Sequence, residues 1–283
     1  MSVVIGEISY TNILPFFYHL DRDALKKRNC QFIPQVPAQL NQEMASGRID
    51  IGGISSFAYA ENANAFTLMP NLSVTSYGAV GSIYLFSKVP LQELDGKKVA
   101  LTLSSASSVH LLKIILEHFY SLSISYTMMK PDIGTMLLEH DACLLIGDDA
   151  IVAKRENSDS LYNYDLGDIW YDQTGLPMTF AVFAVRNETL RDHTSLVGYI
   201  YRSFLESKLR SESENYQPMI ADIVKTYGGN KSFWDKYFLK LCNDFGPQEQ
   251  RGLSYFFEVL YKMNYIAEPI KTLNIWNTDV TIK

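Results

Sequence analysis

A run of serines lies between one apolar strand-like segment and a long helix. The predicted strand Lys98–Leu103 leads into four serines, and the helix that follows extends to Tyr120. The four are Ser104, Ser105, Ser107 and Ser108. The N–H groups and positive dipole end of a helix N-terminus suit a carboxylate or a phosphate, and serine hydroxyls add donors without bulk. The nucleotide-binding patterns Gly-x-x-x-x-Gly-Lys and Gly-x-Gly-x-x-Gly are absent, so the segment predicts a site for a small anion.

Small polar residues follow three other predicted strands. These strands are Val3–Ser9, Ile49–Ile54 and Ala142–Ile146. The polar residues that follow them are Tyr10-Thr11-Asn12, Ser55-Ser56 and Gly147-Asp148-Asp149, respectively. Ligands of α/β sheets bind outside the carboxyl ends of the strands. Helix capping is the alternative, because Ser, Thr, Asn and Asp are favoured N-cap residues. Four such strand ends in one chain favour a ligand site.

Asp148 and Asp149 are adjacent carboxylates at one of these strand ends. A carboxylate in a cleft can act as a general base. The alternative is structural, because an N-cap and an acid in the first turn of a helix both stabilise it. On this second interpretation Asp149 is the cap and Asp148 is a loop residue. The two residues alone leave both interpretations open.

Other catalytic patterns are missing from the sequence. The five histidines show neither His-x-x-x-His nor His-Glu-x-x-His spacing, so we expect no metal site. The hydrolase pattern Gly-x-Ser-x-Gly is absent, and the three cysteines are too scattered for a zinc site or a disulfide framework. His110 and Lys113 follow the serines but lie off the apolar stripe of their helix, which predicts a solvated face.

The elements that must position these residues alternate between strands and helices. Such alternation predicts an α/β fold with a mostly parallel sheet and right-handed crossovers. Met178–Val185 is a further strand, and from His193 onward the sequence predicts helices. The last helix places Leu253, Phe256, Phe257, Leu260 and Tyr261 on one face, which is typical of core packing.

Two strand-like segments divide the chain into halves. Tyr77–Ser87 leads out of the first βα units, and Met178–Val185 can lead back. This predicts two α/β lobes that are joined by two crossing strands around a cleft, an architecture that closes on ligands by hinge motion. The predicted lobes are residues 1–87 plus 186–283, and an inserted lobe of residues 88–185. A single α/β domain with a helical tail is the alternative.

Length and composition exclude several classes of protein. The 283 residues correspond to about two domains of ~150 residues, and 47% apolar residues disfavour disorder. A net charge of −6 disfavours a nucleic-acid partner, which normally needs a basic face. No apolar stretch approaches the roughly 20 residues that span a bilayer, and the N-terminus lacks the basic region of a secretion signal. We therefore expect no membrane partner and a cytoplasmic protein.

Six blocks of the chain follow one another in an order that resembles a known enzyme family. The opening block is Ile8-Ser-Tyr-Thr-Asn-Ile-Leu-Pro-Phe-Phe-Tyr18. The other blocks are Gly52–Tyr59, Leu72–Lys88, Val99–Lys113, Leu144–Ala150 and Tyr164–Arg186, which contains Thr174-Gly-Leu-Pro177. From residue 5 to about 190 they resemble chorismate dehydratase, of the futalosine route to menaquinone. Thr11 stands where this family often has an aliphatic residue, and Ser107 where it often has Thr, but both keep size or hydroxyl character.

The resemblance implies a type II periplasmic-binding-protein fold and chemistry without a metal or organic cofactor. It implies that water is removed from chorismate to give 3-[(1-carboxyvinyl)oxy]benzoate. The family's active-site Asn and the Ser of its V-x-S-V block correspond to Asn12 and Ser82. The residues expected to contact the substrate are Ser9, Tyr10, Ser55, Ser56, Ser104, Ser105, Ser107, Ser108, Asp148, Thr174, Gly175 and Leu176.

The implied reaction removes the C3 proton and the C4 hydroxyl of chorismate, and aromatisation drives it. Asn12 and Ser82 are donors but poor bases, so we expect the substrate's enolpyruvyl carboxylate to take the proton in a near-attack geometry. Asp148 is the rival base. The matched motifs are almost free of Lys and Arg, so we expect neutral donors and helix ends to bind the dianion.

Two other functions stay open at this point. One is the paralogous 1,4-dihydroxy-6-naphthoate synthase of the same pathway, which takes a cyclic futalosine substrate. The other is a non-catalytic solute-binding protein, because one fold can carry many functions. The opening block argues against the first, and the lack of a leader or a lipid-attachment cysteine argues against the second. We expect a monomer or a homodimer.

Overall fold

The computed structural model describes residues 2–8, 10–157 and 160–278, and these residues form two β-sheets with helices around them. The strands of the first sheet are β1 (Val3–Ile8), β2 (Cys30–Gln35), β3 (Ile51–Ser55), β4 (Phe66–Ser76), β10 (Met178–Arg186) and β11 (Leu241–Cys242). The strands of the second sheet are β5 (Ile83–Ser87), β6 (Lys98–Thr102), β7 (Ser125–Met129), β8 (Ala142–Ile146) and β9 (Tyr162–Asp165). The strand orders are β11-β4-β10-β3-β1-β2 and β7-β6-β8-β5-β9.

Helices alternate with the strands up to β10 and then dominate the chain. The helices before β10 are α1 (Leu14–Phe17), α2 (Arg22–Lys27), α3 (Pro37–Ala45), α4 (Ser56–Glu61), α5 (Ala106–Lys113), α6 (Ile133–Glu139), α7 (Gly147–Glu156) and α8 (Leu166–Thr174). A π-helical turn, Ile114–Phe119, continues α5. The later helices are α9 (Asn187–Asp192), α10 (Thr194–Ser213), α11 (Gln217–Tyr227), α12 (Lys231–Lys240) and α13 (Pro247–Lys262). No described helix has the length and apolar character that a membrane crossing needs.

Each sheet mixes parallel and antiparallel pairs. The βαβ units give the parallel pairs β1/β2, β1/β3, β6/β7 and β6/β8. However, β10 runs antiparallel to β3 and β4, and β5 runs antiparallel to β8 and β9. The prediction of a mostly parallel sheet is therefore wrong. The antiparallel pairs involve β4, β5 and β10, the strands that flank the crossings between the sheets, and parallel pairing requires a crossover unit that these strands lack.

The crossings between the sheets differ from the predicted long strands. Residues 77–82 form a turn, in which Gly78 and Gly81 have φ angles of +85° and +75°, a conformation that interrupts a strand. The carboxylate of Asp165 accepts hydrogen bonds from the amides of Val80 (3.0 Å) and Gly81 (2.7 Å) and so holds this turn. Because β5 pairs in the second sheet and β10 in the first, the sheets divide at residues 77–82 and 175–177, and not at 87/88 and 185/186. We propose lobes that divide at these crossings.

Close packing around β3 sets the position of the turn after β1. All five residues of β3 are buried, and its glycines leave room for neighbouring side chains. A Cβ atom on Gly53 would lie 2.5 Å from the Cδ1 atom of Ile13. A Cβ atom on Gly6 of β1 would lie 2.1 Å from Leu40 of α3. The 3-10 turn Thr11–Ile13 is therefore held against the first sheet at the carboxyl end of β1.

Candidate active site

The turn after β1 meets the first turn of α7 between the two sheets. The Oγ1 atom of Thr11, which is almost fully buried, donates a hydrogen bond to Oδ1 of the half-buried Asp148 at 2.6 Å. The ring of Tyr10 packs against Gly147, where a Cβ atom would lie 2.9 Å from Cδ2 of Tyr10. Gly147 also has a φ angle of +60°, so this close contact between the lobes requires glycine.

Asp148 and Asp149 both lie within α7. The helix begins at Gly147 with Ile146 at the N-cap, so the prediction of Asp149 as the cap and Asp148 as a loop residue is wrong. The positive φ of Gly147 lets the chain turn directly from β8 into the helix. Burial raises the pKa of both carboxyls, whereas hydrogen bonds from Thr11 act to lower the pKa of Asp148. The charged form of Asp148 is thus disfavoured and its basicity increased.

Ser82 lies at the end of the first crossing and is fully buried. Its Oγ atom accepts a hydrogen bond from Oη of Tyr237 at 3.0 Å, and its carbonyl accepts one from the amide of Gly147 at 2.7 Å. Tyr237 belongs to α12, and its hydroxyl also interacts with the side chain of Thr11. The helical tail therefore supplies a side chain to this site, which the sequence analysis missed because it interpreted the tail as packing.

Two of the candidate serines are helix caps. Ser105 is the N-cap of α5 and accepts a hydrogen bond from the amide of Ser108 at 3.2 Å. Ser55 is the N-cap of α4 and accepts one from the amide of Ala58 at 3.1 Å. Ser56 is buried and donates its hydroxyl proton to a backbone carbonyl of β10 at 2.6 Å. The capping interpretation thus describes Ser55 and Ser105 directly.

The other serines join the lobes. The Oγ atom of Ser107 accepts a hydrogen bond from the amide of Phe57 at 2.8 Å, which links α5 to the first turn of α4. The side chain of Ser104 lies near the hydroxyl of Tyr10 and acts to lower the pKa of that hydroxyl. Because Tyr10 also packs on Gly147, the N-termini of α5 and α7 lie beside the same aromatic ring. Residues 10–13, 55–58, 104–108 and 147–150 contain no Lys or Arg, so the donors that these segments can offer an anion are helix ends and neutral groups.

Asn12 is half-buried in the turn that carries Thr11. Thr11 contacts Tyr237, and Tyr237 contacts Ser82, so the turn that carries Asn12 and the end of the first crossing meet between the lobes. We call Tyr10, Thr11, Asn12, Ser82, Asp148 and Tyr237 the cleft cluster. It offers an amide, several hydroxyls and one carboxyl. The predicted contact Ser9 lies outside the described residues.

Thr174, Gly175 and Leu176 end α8. The Oγ1 atom of Thr174 donates to a backbone carbonyl of α8 at 2.7 Å and accepts from the amide of Leu176 at 3.1 Å. Gly175 is the C-cap, with a φ angle of +66°. Thr174 and Leu176 line a cavity of about 670 Å³ together with Arg251 and Tyr255 of α13. The structure thus groups these residues with α13.

His110 is not on a solvated face, so that prediction is wrong. Its ring stacks on Phe57 of α4 with 3.5 Å between centroids, and burial lowers the pKa of His110 to about 4. A single apolar stripe does not predict this burial, because α5 is covered by the other lobe as well as by its own sheet. Within the described parts of the chain, no three His, Cys, Asp or Glu residues lie close enough together to hold a metal ion.

Sequence comparison relates most of the chain to one family. A family model described as menaquinone biosynthesis matches residues 3–262. The chain is 33% identical to the chorismate dehydratase of Thermus thermophilus over 200 residues, which cover 65% of this chain and 70% of that relative. It is 24% identical to the chorismate dehydratase of Campylobacter jejuni over 185 residues, which cover 64% and 67%. The resemblance inferred from the sequence blocks is confirmed.

Solved structures show what fold this is. A protein from Archaeoglobus fulgidus superposes with a TM-score of 0.74 at 18% identity, covering 94% of this chain and 98% of that one. The periplasmic aliphatic sulphonate-binding protein of Escherichia coli superposes with a TM-score of 0.68 at 16% identity, covering 98% and 92%. At these identities the likeness shows the fold alone, and it confirms a periplasmic-binding-protein fold. With this fold and a family match across residues 3–262, the chain belongs to the menaquinone biosynthesis family.

Proposed function

We propose that the chain is a chorismate dehydratase, which removes water from chorismate and releases 3-[(1-carboxyvinyl)oxy]benzoate. The observation that carries the proposal is the cleft cluster. Through Thr11 and Tyr237 it links the turn that carries Asn12 to Ser82, whose carbonyl accepts the amide of Gly147 at the start of α7. The two relatives named chorismate dehydratase support the same assignment.

The cleft cluster suits a dianion of moderate size. Chorismate carries a ring carboxylate and an enolpyruvyl carboxylate, and each needs hydrogen-bond donors when it leaves water. The amide of Asn12, the hydroxyl of Ser82 and the free N–H groups of the helix ends supply such donors. Donors without formal charge lower the pKa of the substrate carboxylates less than a cation would, so these carboxylates stay more basic.

The elimination itself follows from the conjugation of the substrate. Removal of the C3 proton places negative charge on C3, and the diene carries that charge to the ring carboxylate. Loss of the C4 hydroxyl then completes the aromatic ring. The enolpyruvyl carboxylate takes the C3 proton and returns it to the departing hydroxyl, so that one water leaves and no external base or acid is consumed. Preorganised donors near the ring carboxylate stabilise the intermediate charge.

We assign Asp148 a positioning role. One of its oxygens already accepts a hydrogen bond from the Thr11 hydroxyl. The carboxylate therefore joins the lobes at the point where the substrate must bind. The alternative is that Asp148 is the general base, which its raised pKa favours. The two roles predict different losses of activity for Asp148→Asn.

Turnover with defined substrates tests the proposal. The purified chain is incubated with chorismate, and the products are identified by mass and by ultraviolet absorbance. A product lighter by one water that absorbs as a benzoate supports the proposal. Turnover of the cyclic futalosine substrate with chorismate left intact supports the paralogous synthase. Binding of chorismate without turnover supports a solute-binding protein, which the sulphonate-binding neighbour makes the second candidate.

A further inference from the structure

The hydroxyl of Tyr237 is the contribution of the helical tail to the cleft cluster. Tyr237 is 3% exposed, and its ring packs beside Gly81, where a Cβ atom would lie 3.3 Å from Cδ2 of the tyrosine. The ring is held on its other sides by Trp234 and Phe238, with 5.6 Å and 5.2 Å between centroids. This packing fixes the hydroxyl at one place, against the Oγ atom of Ser82.

The direction of this hydrogen bond decides where the proton of Ser82 can go. Tyr237 donates and Ser82 accepts, with 3.0 Å between the oxygens. A serine hydroxyl has one proton and two lone pairs. When Tyr237 occupies a lone pair, the Ser82 proton must point to another acceptor. Burial raises the pKa of Tyr237 well above its ordinary value, so the phenol keeps the proton that it donates.

We infer that Tyr237 is a positioning residue, which orients the hydroxyl of Ser82 so that its proton is donated to the substrate. The inference rests on the proposed function, because it assigns Ser82 a donor role in the dehydration. Tyr237 acts through Ser82 and does not itself need to touch the substrate. It also makes the reaction depend on the packing of α12 against the first crossing.

A double-mutant cycle tests the inference. The wild-type chain, Tyr237→Phe, Ser82→Ala and the double variant are compared for kcat and KM with chorismate. Tyr237→Phe keeps the ring and removes the hydroxyl. The matched control is Tyr201→Phe in α10, because Tyr201 is also buried and its hydroxyl also lies near a polar side chain, that of Asn71. Where steady-state turnover of a Ser82→Ala protein is too slow to detect, single-turnover reactions with the protein in excess over chorismate supply the rate that completes the cycle.

We expect Tyr237→Phe to lower kcat about tenfold or more and to leave KM within about threefold. This loss of kcat should be smaller than the loss caused by removing a direct oxyanion donor. In the Ser82→Ala background the same change should have no further effect, and Tyr201→Phe should retain wild-type kcat. Losses that multiply in the double variant, or wild-type kcat in Tyr237→Phe, would overturn the inference and leave the dehydratase assignment intact. A wild-type chain that leaves chorismate unchanged would instead overturn the proposed function, and with it the donor role of Ser82.

Discussion

Thr11 and Asp148 are 137 positions apart in sequence, yet their side chains share a 2.6 Å hydrogen bond across the cleft. Thr11 belongs to the turn after β1, and Asp148 to the first turn of α7. The bond therefore joins the two lobes beside Asn12 and Ser82. Thr11 is a position where the resembled family often has an aliphatic residue, so this chain holds its lobes together with a hydroxyl that such a residue lacks.

Replacement of Asp148 by Asn should lower kcat by less than about a hundredfold. Loss of a general base typically costs 10²–10⁴ in rate, whereas the amide oxygen of Asn can still accept the Thr11 proton. Steady-state kinetics with chorismate measure the effect, and circular dichroism confirms the fold. A loss of several orders of magnitude in a folded variant would make Asp148 the base and exclude the substrate-assisted route.

The same substitution should change stability in a pH-dependent way. Because the pKa of Asp148 is raised in the folded chain, its charged form opposes folding above that pKa, and the penalty disappears as the pH falls below the ordinary carboxyl range. Asp148→Asn should therefore be more stable than wild type in urea at pH 7, with a difference that shrinks towards pH 3.

Asp132→Asn provides a control of opposite sign for that measurement. Asp132 caps α6, and its hydrogen bonds from Thr135 hold its pKa below the ordinary value. Its charged form supports folding above the ordinary carboxyl pKa, and this support is lost as the pH falls through the lowered pKa. Asp132→Asn should be less stable than wild type at pH 7. If the stability difference from wild type had the same sign and the same pH dependence in both variants, burial would not be what controls the charge of Asp148.

Gly147→Ala should disturb the site more than the fold. The new methyl group would lie 2.9 Å from the ring of Tyr10, and a φ of +60° would cost on the order of 1 kcal/mol in backbone strain. Gly96→Ala is the matched control, because its φ is +72° and nothing lies within 4 Å of the added atom. Both variants carry the backbone strain, and Gly147→Ala adds the clash with Tyr10, so it should be the less stable of the two in urea. It alone should lose activity, by about tenfold or more. Equal activity in the two would show that Tyr10 need not pack on residue 147.

Ser82→Ala should lower kcat by about 10²–10³-fold with a small change in KM, as expected for a donor that acts on charge in the transition state. Ser87→Ala is the control, because Ser87 is also fully buried in the same region and its hydroxyl donates to the carbonyl of Val89 at 2.7 Å. Ser82→Ala loses the hydrogen bond from Tyr237, and Ser87→Ala loses two hydrogen bonds with Val89, each worth about 1 kcal/mol. Ser87→Ala should therefore be at least as destabilised in thermal unfolding, whereas steady-state kinetics should show a loss of kcat in Ser82→Ala alone. Comparable kcat values for the two would remove Ser82 from the reaction.

The strands that carry the site were largely predictable from sequence. The apolar run Ala142–Ile146 is β8 with the same bounds. The ends of β1 and β3 lie within two residues of the predicted strands Val3–Ser9 and Ile49–Ile54. The small polar residues at strand ends, from which a ligand site is predicted, lie where the lobes meet, since the carboxyl ends of parallel strands share one edge of a sheet.

Features that depend on contacts distant in sequence were not predictable. Pro70 and Asn71 suggest a turn in the middle of β4, so the sequence does not predict this strand. Asn71 does have a φ of +58°, but the pairing of β4 with β10 continues on both sides of it. Tyr77–Ser87 looked like one strand because Gly78 and Gly81 are surrounded by apolar residues, and the turn there depends on Asp165. Tyr237 lies in a helix whose pattern indicates packing, and only the fold brings it to Ser82.

The most direct test of the account follows chorismate by proton NMR in the presence of the wild-type chain and of Asn12→Ala. The account predicts that the signals of the ring diene disappear and benzoate signals replace them with wild type, without an added metal or cofactor. It predicts the same product with Asn12→Ala at a rate lower by about 10²-fold, because one donor to the dianion is lost. Chorismate that stays unchanged with wild type, or a folded Asn12→Ala that matches the wild-type rate, would contradict dehydration at the cleft cluster.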